Sequence, residues 1–364
     1  MIESLKNLFV SLPDWPEHGI QFGTGVLLLV LGGNWLVHGA VTVARRLGMP
    51  ILLIGLTIVA AGTSAPELAF NLSAALAGVG EMCFGNVIGS NIANIGLVLG
   101  VCAVMRPLNV HSTVVRRELP WLLGISGFMF LMALLPTSGV RTGQHLRGFG
   151  VIDGAVFLIG FVLVIGVWYR RGRKHVRDPL VKEVAETAEA EAMRSLSAAA
   201  GVLFGGFVAL WVGGALTKEG AVGIARLAGL SDVVIGFTIV AISTSLPEVI
   251  TSIVAVRKGH TDLAVGNVVG SNLFNILFVL GVTTLFAPVP LPHVWGWYDL
   301  FFMFVITAAL FPIARLGNTR NSISRAAGIL LLVFYVIYLT FVVLRDYFDW
   351  ADDVAQWLRN VSAG

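Results

Sequence analysis

Ten apolar runs, each long enough to cross the hydrocarbon core of a bilayer, dominate this sequence of 364 residues. A transmembrane helix needs about 20 apolar residues to cross about 30 Å. Charged residues make up only 12% of the chain, about half the share in soluble domains. The sequence therefore predicts an all-α polytopic membrane protein with ten transmembrane helices, near residues 22–44, 51–77, 82–104, 119–136, 149–169, 198–217, 233–256, 262–287, 298–314 and 326–344.

The two halves of the chain repeat each other. Shifted by 181 residues, 55–100 aligns with 236–281 without a gap, and 22 of the 46 aligned residues are identical. Each half holds five predicted helices, and because five is odd the second half must enter the membrane upside down, as in many secondary transporters. We expect two inverted five-helix repeats at 1–169 and 198–347, a charged cytoplasmic linker at 170–197 and an amphipathic C-terminal tail at 348–364.

The distribution of basic residues predicts the orientation. If the N-terminus lies outside, the inner loops hold 17 of the 24 Lys and Arg residues, as the positive-inside rule requires. Both termini are then expected outside and the 170–197 loop in the cytoplasm. The net charge of +3 is too small to indicate nucleic-acid binding, and two cysteines alone cannot form a zinc site.

The repeated segments carry two polar motifs. The first is GTSAPE, from Gly62 to Glu67, which recurs as STSLPE, from Ser243 to Glu248. A carboxylate inside a membrane is costly unless it is paired, coordinated or protonated, so each glutamate marks a candidate functional site. Thr63 lies four residues before Glu67, as Thr244 lies before Glu248, so each pair shares a helix face.

A proline precedes each glutamate, Pro66 and Pro247. Each removes a backbone donor and predicts a kink that frees a carbonyl oxygen. The second motif, GNVIGSNIAN, from Gly85 to Asn94, recurs as GNVVGSNLFN, from Gly266 to Asn275. Ser90 with Asn94, and Ser271 with Asn275, again share one face.

Together the motifs offer hydroxyl, amide and backbone oxygens with two carboxylates, a set that suits Ca²⁺ and Na⁺ rather than zinc or copper. The charge of −2 is balanced by one Ca²⁺ or by two Na⁺, so the two ions compete for it. A purely structural role for Glu67 and Glu248, bonded to neighbouring hydroxyls, is the alternative. Their recurrence with the same flanking residues disfavours it.

The paired motifs resemble the α-repeats of the calcium/cation antiporter superfamily, specifically the prokaryotic type of its sodium/calcium exchanger branch. The resemblance covers the ten-helix plan, and the motif-bearing segments span about a quarter of the chain. It implies a central ion site whose ligands are the side chains of Thr63, Ser64, Glu67, Ser90, Asn94, Thr244, Ser245, Glu248, Ser271 and Asn275, with the carbonyls of Ala60 and Ala241. It also implies that the first and sixth helices slide across a rigid core.

Asn275 departs from relatives that carry Asp at this position, including potassium-dependent exchangers. The missing carboxylate argues against K⁺ co-transport. The expected function is Na⁺/Ca²⁺ exchange by alternating access in the cell membrane, with no cofactor. The stoichiometry and the oligomeric state stay open, although a monomer can suffice.

Three alternatives compete with this function. In Ca²⁺/H⁺ antiport, Glu67 and Glu248 would take up protons when Ca²⁺ leaves. A cation channel is less consistent with enclosed sites in inverted repeats. An intramembrane enzyme lacks support, since the sequence contains no recognisable catalytic or cofactor motif.

Four further polar residues occupy equivalent positions in the two halves, His38 with Glu219 and Glu118 with Asp299. All four lie toward the ends of predicted helices. We interpret them as residues of the membrane interface, without a role in transport.

Overall fold

The computed structural model describes residues 15–110, 114–134, 147–176, 195–228, 241–292, 295–316 and 322–362. Within these ranges nine helices are long and apolar enough to cross a membrane. The seventh predicted helix is described from residue 241, because its beginning at 233–240 lies outside these ranges. Most of the predicted linker, at 177–194, also lies outside them.

The described residues form ten helices, which follow one another along the chain. They are α1 Trp15–Arg46, α2 Ile51–Leu76, α3 Gly80–Met105, α4 Val114–Leu134, α5 Val151–Val176, α6 Leu196–Leu227, α7 Ala241–Thr244 with Leu246–Arg257, α8 Thr261–Phe286, α9 Trp295–Leu316 and α10 Arg325–Ser362. The prediction of an all-α membrane fold is confirmed.

Four helices extend well beyond the bounds that the hydropathy pattern predicts. α1 and α6 have 32 residues each, about 48 Å at 1.5 Å per residue, which exceeds the bilayer core and favours a steep tilt. α10 continues without a break through the predicted tail to Ser362. α5 likewise extends to Val176, inside the predicted linker. The boundaries of the domains themselves stay a prediction.

In the described residues, four short strands pair one half of the chain with the other. They are β1 Leu108–Asn109, β2 Gly148–Phe149, β3 Val289–Pro290 and β4 Ser322–Ile323. β1 pairs antiparallel with β4, and β2 with β3. β1 and β3 occupy equivalent positions in the two repeats and follow the third and the eighth helix. Because five helices, an odd number, separate them, the two strands lie on opposite sides of the membrane. This is the arrangement that inverted repeats require.

α3 and α8 form the centre of the bundle. Of their apolar segments 78% and 83% are buried inside the protein, against 28% for α5 and for α10. The buried residues of α3 and α8 include the serines and asparagines of the second motif. The polar motifs therefore face the interior, and the peripheral helices separate them from lipid.

Glu118 and Asp299, expected at the interface, are buried, with 4% and 2% of their surface exposed. The indole N–H of Trp168 donates to Glu118 Oε2 at 2.8 Å. The hydroxyl of Tyr338 donates to Asp299 Oδ1 at 3.2 Å. Aromatic donors from α5 and α10 enclose both carboxyl groups, a contact that helix-end position alone does not predict. Their place at the membrane interface stays a prediction.

Glycines at every seventh position bring α1 and α6 into backbone contact. A Cβ atom at Gly32 would lie 2.8 Å from the amide nitrogen of Leu210, and one at Gly213 would lie 2.8 Å from that of Leu29. Such distances leave no room for a side chain, so the two antiparallel helices pack as one unit. The glycines of this contact, called the glycine seam below, are Gly25, Gly32, Gly39, Gly206, Gly213 and Gly220.

The glycine seam predicts opposite effects for the same substitution at two positions of α6. Gly213→Ala should lower the free energy of unfolding by about 1–3 kcal/mol, because its methyl group meets backbone atoms of α1. Gly201→Ala, with no atom within 4 Å of the added methyl, should be neutral or stabilising, since Ala favours helix by about 1 kcal/mol. Thermal unfolding midpoints of the purified variants would measure this. Equal midpoints for the two variants would contradict the close contact.

Candidate functional site

α2 and α7 are both interrupted at the serine of the first motif. Ser64 has φ −86° and ψ 2°, and Ser245 has φ −90° and ψ 3°. Each interruption lies two residues before a proline, whose missing N–H leaves the carbonyl four residues earlier, at Gly62 or Ser243, without its helical donor. The breaks predicted from the prolines are therefore present, at equivalent positions of the two repeats.

Wide π-helical turns adjoin several of the motif residues. One covers Gly55–Val59 and ends immediately before Ala60. Two others begin at Asn94, in Asn94–Leu99, and at Asn275, in Asn275–Val279. Single π turns within helices occur frequently at functional sites. The sequence contains no proline or charge at these places, so they were not predicted.

The two glutamates are fully enclosed, with exposed fractions of 1% for Glu67 and 0% for Glu248. The Ser64 hydroxyl donates to Glu248 Oε1 at 3.4 Å, which joins the first repeat to the second. The other carboxylate oxygens, Oε1 and Oε2 of Glu67 and Oε2 of Glu248, have no hydrogen-bond partner. Two neighbouring carboxyl groups with three such oxygens provide strong acceptors for a cation.

Thr63 joins α2 to α8. Its hydroxyl donates to Asn267 Oδ1 at 3.1 Å and lies 3.3 Å from Ser271 Oγ. The amide nitrogen of Asn267 donates in turn to Ser252 Oγ of α7 at 3.2 Å. This network holds hydroxyl groups from three helices beside Glu248, whose carboxylate also faces Thr63, Ser64 and Ser271.

A second network joins α3 to α8. Asn94 Nδ2 donates to Asn272 Oδ1 at 3.0 Å, and Asn272 Nδ2 donates to the carbonyl of Asn91 at 3.2 Å. The Oδ1 atom of Asn94 keeps no partner. The two bonds therefore fix Asn94 while leaving its carbonyl oxygen available as a ligand.

Some of the predicted site residues contact one another in the buried interior. Thr63, Ser64, Glu248 and Ser271 are in direct or bridged contact, and Glu67 lies close enough to Glu248 for their charges to interact. The carbonyl of Ala60 accepts from Ser64 N at 3.0 Å and from Thr63 Oγ1 at 3.4 Å.

The remaining predicted residues lie on the same helices, α3, α7 and α8. Ser90 is buried on α3, and the hydroxyl of Ser245 and both polar side-chain atoms of Asn275 are buried without a partner. Thr244 is half-buried and has an interaction partner. Ala241 opens the described part of α7.

Sequence reasoning missed the asparagines that support the site, Asn91, Asn267 and Asn272. A usable pattern was present, because Asn86 with Asn267 and Asn91 with Asn272 are identical at equivalent positions of the second motif. Residues four positions apart lie on one helix face, and this spacing selects Ser90 with Asn94 and Ser271 with Asn275 but none of the three supporting asparagines. Ser252 could not be found in this way, since its equivalent is Asn71.

The sequence matches a family of known proteins along most of its length. The profile of the family described as "Sodium/calcium exchanger protein" matches residues 18–170 and 198–344. The chain belongs to this family. It is therefore a transporter of an exchanger family, and the two matched segments leave out most of the predicted linker.

Several relatives in this family match the chain along most of their own length. A putative antiporter CaxA of Alkalimonas amylolytica is 40% identical, over 86% of this chain and 95% of that protein. The sodium/calcium exchanger MaX1 of Methanosarcina acetivorans is 30% identical, over the same shares. The solved sodium/calcium exchanger of Methanococcus jannaschii superposes with a TM-score of 0.74 at 29% identity, covering 89% of this chain and 97% of that one.

The asparagine network predicts that Asn272 is a structural support. Asn272→Leu should destabilise the protein by about 1–3 kcal/mol, because it leaves the buried side-chain amide of Asn94 without its acceptor. The carbonyl of Asn91 keeps the backbone N–H of Asn94 as a donor. Asn34→Leu is the matched control, because the Asn34 side chain bonds only to a carbonyl of its own helix, at 2.9 Å. Thermal unfolding midpoints would test this, and an equal loss in both variants would argue against the network.

Proposed function

We propose that this protein exchanges Na⁺ for Ca²⁺ across the membrane by alternating access. The observation that carries the proposal is the pair of enclosed carboxylates beside two interrupted helices, with three of four oxygens unpartnered. The ion ligands would be Glu67, Glu248, Thr63, Thr244, Ser64, Ser245, Ser90, Asn94, Ser271 and Asn275, with the carbonyls of Ala60 and Ala241.

Charge balance explains how the two ions would be coupled. Two carboxylates at close range repel each other in a medium of low dielectric constant, and one Ca²⁺ or two Na⁺ neutralise them. Because the same carboxylates serve both ions, occupation by one excludes the other. Ca²⁺ commonly takes six to eight oxygen ligands, which the hydroxyl, amide and carbonyl oxygens around the glutamates can supply.

The α1–α6 unit is the element that would move. It packs against the interrupted helices through small residues: Gly62 of α2 leaves room for the Phe207 ring of α6, and Gly33 of α1 faces Ile250 of α7. Since its two helices are joined along the glycine seam, the unit can shift across the site as a rigid body. Such a shift would open the site to one face and close it to the other.

The orientation follows from the basic residues. We infer that both termini lie outside and that the 170–197 loop lies in the cytoplasm, because this placement leaves most Lys and Arg residues on the inner side. A relative in Escherichia coli K12, 37% identical over 72% of this chain, is named an inner membrane protein. The same location is proposed here.

Asn275 predicts that exchange does not require K⁺, because the site then has two carboxylates and not three. Ca²⁺ uptake into Na⁺-loaded liposomes should be unchanged when K⁺ on both sides is replaced by choline at constant osmolarity. Initial rates with the two cations measure this. A severalfold loss of rate in choline would place K⁺ among the transported ions and contradict the assignment.

The central test is uptake of ⁴⁵Ca²⁺ into liposomes that contain the purified protein and are loaded with Na⁺. Uptake should require the outward Na⁺ gradient at clamped pH. Glu67→Gln and Glu248→Gln should each weaken Ca²⁺ binding by about 100-fold or more, because each removes one of two buried charges that face the ion. Glu81→Gln is the matched control, since Glu81 is exposed at the start of α3.

The possible results separate the candidate functions. Loss of Na⁺-driven uptake in both site variants, with normal uptake in the control, supports the proposal. Uptake driven only by a pH gradient would assign Ca²⁺/H⁺ exchange to the same glutamates. Single-channel currents would indicate a channel. Na⁺-driven uptake that survives both substitutions would remove Glu67 and Glu248 from the site.

A further inference from the structure

A cavity of about 170 Å³ lies away from the central site, between the C-terminal end of α1 and the turn that joins α7 to α8. α1 contributes His38, Thr42 and Arg45 with two valines, and the turn contributes Lys258 and His260. By the predicted orientation this cavity is on the cytoplasmic side. Its volume is below the roughly 300–1,000 Å³ of sites for drug-sized ligands, which limits an occupant to a small ion or a single head group.

The polar lining of the cavity is basic. None of the residues that line it is acidic, and the Arg106 guanidinium lies close to the turn at Gly259. Burial, followed by the charges of Arg45 and Lys258, lowers the pKa of His260, and burial lowers the pKa of Lys258. Asp262, the nearest acidic residue along the chain, already has an interaction partner and does not line the cavity.

The fold itself does not require these charges. The equivalent turn of the first repeat has the same backbone, with Gly78 at φ +77° where the second repeat has Gly259 at φ +85°. That turn carries Ala77 and Val79 in place of Lys258 and His260. Where α1 has His38, α6 has Glu219. Of two turns with one conformation, only one is basic.

Arginine at the end of α1 has an ordinary explanation, because basic residues stabilise a helix C-terminus. Lys258 ends α7 in the same way, and its Nζ donates to the carbonyl of Asn34 at 3.3 Å. The explanation does not extend to His260, nor to the convergence of Arg45, Lys258 and His260 on one cavity. Nor does a lining of this charge suit the passage of Na⁺ or Ca²⁺, which it repels. Convergent Arg and Lys side chains are typical of sites for phosphate groups.

We propose that the cavity between α1 and the α7–α8 turn binds a phosphate group, with Arg45 and Lys258 as its principal ligands and His260 as a further contact. The group can belong to inorganic phosphate or to the head of an anionic phospholipid. The cavity opens beside the exposed side chain of His38, so either source can reach it. An occupied cavity bridges α1 to the core of the bundle.

The test uses the purified full chain in detergent and does not depend on transport. Thermal unfolding midpoints are recorded against potassium phosphate, with potassium chloride at equal ionic strength as reference, and separately in micelles doped with phosphatidylglycerol or with phosphatidylcholine. A ligand that binds the folded state raises the midpoint in a saturable way. Arg45→Gln and Lys258→Gln should each weaken the apparent affinity by about tenfold or more.

Arg226→Gln is the matched control, because Arg226 is the equivalent of Arg45 in the second repeat and lies at the opposite end of the α1–α6 unit. It should keep the affinity of the parent protein. Lys258 is exposed, so its variant can be compared with the parent even if Arg45→Gln folds poorly. Saturable stabilisation by phosphate alone identifies a site for a free anion, and stabilisation by phosphatidylglycerol alone identifies a lipid site. No stabilisation by either, or equal stabilisation of the Lys258→Gln variant, would overturn the proposal.

Discussion

Two carboxylates enclosed within a membrane domain constrain everything around them. Glu67 and Glu248 have exposed fractions of at most 1%, and charged groups at such depth are stable only with compensating partners. The chain interrupts α2 and α7 beside them and places hydroxyl and amide groups of α8 and α3 nearby, yet three of the four carboxylate oxygens keep no protein partner. The proposed cations would supply the missing compensation. The peripheral helices then separate this polar interior from lipid.

Hydrogen bonds across the repeats make the site a joint property of both halves. Thr63 bonds to Asn267, 204 residues away, and Asn94 bonds to Asn272, 178 residues away. The motifs are nearly identical, but their surroundings are not: Ser252 accepts from Asn267, whereas its equivalent, Asn71, donates to the carbonyl of Glu67. Two similar halves therefore place different groups around the two glutamates.

The sequence predicted the number and order of the helices, because apolar runs and the 181-residue repeat are properties of the chain alone. It also predicted the breaks in α2 and α7, since Pro66 and Pro247 act on their own backbone. It did not predict the π turns, the enclosure of Glu118 by Trp168, or the role of Asn272. These depend on contacts between distant segments, and local periodicity carries no information about which segments meet.

The glycine seam has the form of an isologous interface. Gly32 of the first half contacts Leu210 and Gly206 of the second. The equivalent residues make the same contact in reverse, since Gly213 of the second half contacts Leu29 and Gly25 of the first. Each half thus presents the same self-complementary surface to the other, as subunits do in a two-fold homodimer. A polypeptide of half this length that inserted in both orientations would satisfy every contact of the seam with a second copy of itself. Joining the two copies in one chain then lets each half diverge, as the basic cavity beside Lys258 has done.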